Sequence, residues 1–267
     1  MDRSVSCRFD AELAGVSDLV LSVAVAEGVD ASAESIEVTL DGAPVTGLVE
    51  LVEEHGSRLH TASALGPGRL EVAYSASITG RAAPAPIDAI DLIRYTRPSR
   101  YCESDRLAPF ARAEFGSLDG LDLVAAVSSW VGTRIAYISG SSRPTDGAVA
   151  TLLAGQGVCR DFAHLVVAML RGCDVPARLV SVYAPGLQPM DFHAVAEAFV
   201  EDRWVVVDAT CLAPREAMVR IATGRDAADT AFLTTMGDRV DMGMLEVLAI
   251  TEAPLPVDDV SVPVVLG

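Results

Sequence analysis

The sequence contains no lysine, because all 20 of its basic residues are arginine. A lysine Schiff base and a P-loop are therefore both excluded, since each requires a lysine amine. The chain also cannot serve as its own amine donor in a crosslinking reaction. The arginines are outnumbered by 37 acidic residues, which gives a net charge of −17. This charge argues against a nucleic-acid partner, because phosphate binding requires clustered cations.

Long apolar runs and closely spaced cysteine pairs are also missing. The run at 19–26 is too short to span a bilayer, and Asp18 and Glu27 close it off. We expect neither a signal peptide nor a membrane partner. The five cysteines form no CxxC pair, and an odd number of cysteines without a secretion signal predicts reduced thiols and a cytoplasmic location.

The order of secondary-structure patterns predicts an α+β protein. Residues 1–80 hold short alternating or β-branched runs separated by turn residues, which is typical of a small β-sandwich domain. Residues 81–117 are predicted to be a linker and junction segment, because "GRAAPAPID" (80–88) has the composition of a linker. Helical periodicity begins near residue 118, so residues 118–267 are predicted to form the functional core.

The stretch "GQGVCRDFAHL" contains the first candidate for a reactive group. Apolar residues recur at helical spacing from Val158 to Cys173, which places Cys159 in the first turn of a buried helix. Unpaired N–H groups and the positive end of the helix dipole favour a thiolate at that position. A free cysteine on an apolar helix is more often a packing residue, so a catalytic role requires a partner base.

The segment "DFHAVAEAFVEDRWVVVDAT" predicts a β-hairpin that supplies this base. If Phe199 faces Trp204 across the hairpin, His193 and Asp208 lie as diagonal neighbours on one face of the sheet. The carboxylate could then fix the tautomer of the imidazole, and the other ring nitrogen could face a thiolate.

Two other residues are rivals for these roles. Asp191 could orient the histidine, but it precedes the strand and is less well placed. His164 could act as the base, but it lies about 140° around the helix from Cys159. We therefore expect His164 to be structural.

The two quoted segments resemble the bacterial transglutaminase-like superfamily. Cysteine, histidine and aspartate follow in that order, 34 and then 15 residues apart. Residues 95–105 and 212–229 are similar to flanking segments of a bacterial branch in which a small β-domain precedes the core. The resemblance implies a papain-like fold, in which a helix bearing Cys159 packs on an antiparallel sheet bearing His193 and Asp208.

The resemblance also implies a chemistry. Cys159 would attack an amide carbonyl and form a thioester, with His193 as base and Asp208 as orienter. We expect a thiol-dependent amidase acting on peptide or isopeptide (glutamine-type) amides of a peptide or protein substrate. Acyl transfer to an amine, or a peptide-binding module that does not use this chemistry, are the alternatives.

Two related patterns differ from this sequence. It has no acidic loops like those that bind calcium in the animal crosslinking enzymes, so we expect no metal and no cofactor. The arylamine acetyltransferases share the triad, but in them Arg-Gly-Gly directly precedes the catalytic cysteine. In this chain residues 156–158, Gln-Gly-Val, precede Cys159.

Oxyanion stabilisation needs two hydrogen-bond donors. The backbone N–H of Cys159 is the natural first donor. The second donor has two candidates. One is the hydroxyl of Tyr137, whose position resembles one just before the core in this family. The other is the side chain of Gln156, by analogy with papain. The sequence leaves the oligomeric state open.

Overall fold

The computed structural model describes residues 1–266. This part of the chain contains fifteen strands and six α-helices, joined by loops. The strands are β1 (Arg3–Leu13), β2 (Ser17–Leu21), β3 (Ala31–Leu40), β4 (Ala43–Pro44), β5 (Val49–Val52), β6 (Arg58–Leu65), β7 (Gly68–Ile78), β8 (Ala136–Tyr137), β9 (Gln156–Gly157), β10 (Ala177–Tyr183), β11 (Phe192–Val200), β12 (Arg203–Val207), β13 (Val219–Gly224), β14 (Leu233–Gly237) and β15 (Val240–Thr251). The helices are α1 (Ala89–Arg94), α2 (Ser104–Phe115), α3 (Gly120–Arg134), α4 (Ala148–Ala154), α5 (Cys159–Gly172) and α6 (Ala227–Thr230).

Strands β1 to β7 form the framework of a β-sandwich, as the sequence predicts. Its five-stranded sheet has the order β15-β1-β7-β3-β4, and its four-stranded sheet has the order β14-β2-β6-β5. Along β1, every second residue is buried and the residues between them are more exposed. This alternation is the pattern of a strand that has one face on a core, and side chains from both sheets meet in one apolar cluster.

Strands β14 and β15 do not follow the predicted domain boundaries. β15 pairs with β1, and β14 pairs with β2, so residues 233–251 complete the two sheets of the sandwich. The prediction that 118–267 form a single core is therefore wrong for this segment. The physical reason is that β15 has an alternating face, with Val247 and Ala249 buried, that can cover the edge of β1.

The core is a four-stranded antiparallel sheet of order β12-β11-β10-β13, with α5 packed against it. Helices α2, α3 and α4 also pack on α5, so nearly every residue of α5 is buried, including Asp161, His164 and Arg171. The sequence assigned α2 to the junction segment 81–117. In the structure it belongs to the core, because Leu107, Ala111 and Phe115 are buried in the same cluster as α5.

The sandwich and the core share buried contacts. Tyr183, at the end of β10, lies in the same apolar cluster as Val23, and its hydroxyl donates a 2.8 Å hydrogen bond to the Val23 carbonyl. On the surface, Arg94 of α1 pairs with Glu54 of the sandwich and with Asp91. These contacts hold the sandwich against the sheet that carries the candidate site.

Candidate active site

Cys159 is the first residue of α5, as the sequence predicts, and Val158 before it has an extended backbone. The Val158 N–H donates a 2.8 Å hydrogen bond to Oδ2 of Asp161, and Ser142 Oγ donates a 2.9 Å bond to Oδ1 of the same carboxylate. Asp161 therefore satisfies one of the unpaired N–H groups of the first turn and fixes the orientation of the cysteine. The sequence does signal this residue, because an acidic residue three positions after the N-cap is a helix-start pattern.

A short parallel ladder brings Tyr137 to the cysteine turn. Tyr137 of β8 pairs with Gly157 of β9, and Ile138 N–H donates a 3.0 Å bond to the Gly157 carbonyl. Position 157 must be glycine here, because an added Cβ would lie 2.6 Å from Cβ of Asp161. The ladder brings Tyr137 close enough to Cys159 for the thiol and the backbone N–H of Cys159 both to affect the pKa of the Tyr137 hydroxyl. Burial, together with the nearby Cys159, raises the pKa of Tyr137 to about 12.

The β11–β12 hairpin has the predicted register. Phe199 faces Trp204 and Ala196 faces Val207, which confirms the pairing expected from the alternating runs. His193 is the second residue of β11, and Asp208 directly follows the end of β12. His193 Nε2 and Asp208 Oδ2 are 2.8 Å apart, and both side chains are almost fully buried.

Asp208 uses both of its carboxylate oxygens. Its Oδ1 accepts a 2.9 Å bond from Thr210 N–H and a 2.7 Å bond from Thr210 Oγ1. Burial raises the pKa of Asp208, but the His193 charge and these hydrogen bonds outweigh burial and leave the pKa below its usual value. The supporting role of Thr210 was not predicted, although an aspartate side chain that accepts a hydrogen bond from the N–H two residues on is the known Asx-turn.

The other ring nitrogen of His193 belongs to the cysteine side. Nδ1 is buried and makes no hydrogen bond of good geometry within residues 1–266. The thiol is nonetheless close enough to influence the ring by hydrogen bonding and charge, and Sγ lies 4.0 Å from the Phe192 carbonyl oxygen. Burial lowers the pKa of His193, but Asp208 and Cys159 raise it, and the net pKa is about 10. At neutral pH the imidazole is therefore protonated, with the Asp208 carboxylate as its bonded counter-charge.

The rivals for these roles lie elsewhere. His164 accepts a 3.1 Å hydrogen bond from Ala227 N–H and stacks on Tyr101, with 5.3 Å between ring centroids. Its complete burial lowers its pKa to about 3, so its ring is neutral and structural. Asp191 accepts a hydrogen bond from the next N–H in the chain, and Asp208, not Asp191, bonds His193. The side chain of Gln156 makes no hydrogen bond within the part of the chain described.

One group of side chains has the spacing of metal ligands. Atoms of Glu54, His55 and Asp91 lie within 4.8 Å of one another, at the contact between the sandwich and α1. Arg94 Nη1 lies among them, 3.0 Å from Asp91 Oδ1 and 3.4 Å from His55 Nε2, and it also contacts Glu54. The guanidinium thus supplies the positive charge that this acidic group requires.

Two comparisons with known proteins identify the family to which this fold belongs. The model of the transglutaminase-like superfamily core matches residues 111–209. The crystal structure of a candidate cysteine protease from Cytophaga hutchinsonii is similar over 97% of this chain and 94% of that chain, with 30% identity and a TM-score of 0.87. This chain therefore belongs to the transglutaminase-like superfamily.

Mycobacterial relatives match over shorter regions. An uncharacterized protein of Mycobacterium leprae is 29% identical over 119 residues, which cover 40% of this chain and 42% of that protein. An uncharacterized protein of Mycobacterium tuberculosis is 33% identical over 90 residues, which cover 34% of this chain and 26% of that protein. The match thus spans less than half the length of these relatives. Within residues 1–266, no helix is both long and apolar enough to cross a bilayer.

Proposed function

We propose that this protein is a thiol-dependent amidase that acts on peptide or isopeptide (glutamine-type) amides through a thioester acyl-enzyme. Cys159 is the nucleophile, His193 the general base and acid, and Asp208 the residue that orients His193. The observation that carries the proposal is the buried pair of His193 and Asp208, which are 2.8 Å apart. The second ring nitrogen of His193, Nδ1, is not used by Asp208 and lies on the Cys159 side.

The reaction follows from the charges of the three groups. The Cys159 thiolate attacks the amide carbonyl carbon, and a tetrahedral oxyanion forms. The His193 imidazolium gives its Nδ1 proton to the leaving amine as the C–N bond breaks, which leaves a thioester. Neutral His193 then takes a proton from a water molecule, the water attacks the thioester, and the thiolate leaves as the carboxylic acid forms. Asp208 keeps the Nε2 proton in place throughout.

Hydrolysis is favoured over transfer to an amine. The chain has no lysine to act as an amine donor, and water is always available to resolve the thioester. All five cysteines are unpaired, which supports a reducing compartment such as the cytoplasm. The proposed substrate is a peptide or protein with an accessible amide.

Selective alkylation of Cys159 by iodoacetamide is the first expected result. Cys211 is exposed while Cys159 is only half-buried, so accessibility alone would favour Cys211. Burial raises the pKa of the other four thiols, to about 11 for Cys7 and about 12 for Cys102. We expect Cys159 to react at least about tenfold faster than Cys211 at pH 7, measured by mass spectrometry of tryptic peptides.

The control for this labelling is His193→Ala, which removes the imidazolium partner. In this variant Cys159 should lose its advantage, while the rate at Cys211 should not change. Slow, unselective labelling of Cys159 in the unmodified protein would contradict the proposal and favour a peptide-binding module with no acyl-enzyme chemistry.

The second oxyanion donor is assigned to Tyr137. The support is that the Cys159 backbone N–H, the first donor, is among the groups that affect the pKa of the Tyr137 hydroxyl, and two donors this close can share one oxyanion. Tyr137→Phe should lower kcat by about 10²-fold with little change in KM, the usual effect of removing one such donor. Tyr101→Phe is the control, because this ring stacks on His164. Equal, small effects of the two substitutions would show that Tyr137 only packs against the turn.

A further inference from the structure

The carboxylate of Asp191 lies next to the candidate catalytic groups but has no role among them. Asp191 directly precedes β11, two residues before His193. Its Oδ1 accepts a 2.7 Å hydrogen bond from the Phe192 N–H. The carbonyl oxygen of the same Phe192 is the atom 4.0 Å from Cys159 Sγ. The carboxylate is thus bonded to Phe192, the residue of β11 whose carbonyl oxygen is the Cys159 contact.

This carboxylate has no positive partner from the protein other than His193. Within residues 1–266 it forms no ion pair, and no arginine is among the groups that affect its pKa. Arg160, which follows Cys159 in the chain, donates its hydrogen bonds to Ser142 Oγ and the Arg143 carbonyl. No arginine therefore neutralises the Asp191 carboxylate within residues 1–266.

Asp191 is both accessible and held in place by its hydrogen bond with the Phe192 N–H. The residue is open to solvent, yet protein surrounds enough of the carboxyl group to raise its pKa by desolvation. Its charge also acts on the Tyr137 hydroxyl. A carboxylate that has lost part of its hydration, and whose one charged partner is the shared His193, is stabilised when a cationic ligand arrives.

We propose that Asp191 forms a subsite for a cationic group of the substrate, an ammonium or guanidinium, next to the amide that Cys159 attacks. The protein would thus select amides flanked by positive charge. This inference rests on the proposed function, because it takes Cys159 as the reacting atom.

Charged thiol reagents test the subsite without a known substrate. Three methanethiosulfonates serve as probes: a trimethylammonium-ethyl cation, a neutral methyl compound and a sulfonatoethyl anion. Each forms a mixed disulfide with the Cys159 thiolate and releases methanesulfinate, so the rates differ through the charge of the reagent. Each charged reagent's rate is divided by the rate of the neutral reagent. This division removes any effect of a substitution on the fraction of Cys159 that is thiolate.

The variant is Asp191→Asn, which keeps an acceptor for the Phe192 N–H. The control is Glu246→Gln, at an exposed position of β15. It changes the net charge by the same amount. We expect the cation-to-anion rate ratio at Cys159 to fall by about tenfold in Asp191→Asn and to stay unchanged in Glu246→Gln. An unchanged ratio, or an equal fall in both variants, would overturn the subsite. If Cys159 reacts with none of the three reagents, the proposed function itself fails.

Discussion

Cys159→Ala is expected to abolish amide hydrolysis while leaving the fold intact. Loss of the nucleophile in a triad enzyme costs about 10⁶-fold in kcat, because neither His193 nor Asp208 can form the thioester. The folded protein should tolerate the change. Alanine is the best helix former, Cys159 opens α5, and its side chain is only half-buried. We therefore expect the free energy of unfolding to change by less than about 1 kcal/mol.

The measurement is the rate of amine release from a peptide amide, together with thermal unfolding of the same samples. Cys173→Ala is a matched control, because Cys173 ends the same helix and is also a half-buried free thiol. That variant should keep its activity. Full activity of Cys159→Ala would exclude a thioester mechanism at this site.

Local periodicity explains why much of the site could be predicted from the sequence. The 3.6-residue spacing after Val158 gives the start of α5, and with it the position of Cys159. Two alternating runs around a short turn fix the pairing of Phe199 with Trp204. That register in turn determines that His193 and Asp208 can meet. In each case, the residues that decide the geometry are close together in the chain.

Contacts between distant segments could not be predicted in this way. The pairing of β15 with β1 joins the two ends of the chain, and nothing in either segment names its partner. Glu197 is another example. It is fully buried in β11, and it bonds Arg178 of β10 and Arg220 of β13, although charged residues in a strand ordinarily predict an exposed face. The sequence gives the charges but not the fold that brings them together.

The largest expected effect on the pH dependence comes from Asp208→Asn. Asparagine can still accept the hydrogen bonds of Thr210, but its amide presents N–H groups to His193 Nε2. The histidine then carries its proton on Nδ1 as a neutral ring, which is the wrong tautomer for accepting a proton from the thiol. The same substitution in serine-protease triads costs about 10⁴-fold in kcat. We expect a smaller loss, about 10²- to 10³-fold, because a thiolate needs less activation than a serine.

The sign of the pH effect follows from the charges around His193. With its pKa at about 10, activity should persist into alkaline solution and fall as the imidazolium loses its proton. Without the Asp208 charge, burial lowers the pKa of His193. The alkaline limb of the kcat profile should then move toward neutral by about one pH unit or more. Thr210→Val removes the hydroxyl donor but keeps the Asp208 charge, so its alkaline limb should stay close to that of the unmodified protein.

Stability should respond in a matching pH window. The pKa of His193 is raised from 6.5, so its contribution to stability is fully present below pH 6.5 and is lost as the pH rises through about 10. The pKa of Asp208 is lowered from 3.8, so its contribution is present above pH 3.8 and is lost as the pH falls below that value. The Tm difference between the unmodified protein and Asp208→Asn should therefore be largest between pH 3.8 and 6.5 and shrink on both sides. A Tm difference that is the same at pH 5 and pH 10 would mean that the buried pair does not carry these charges.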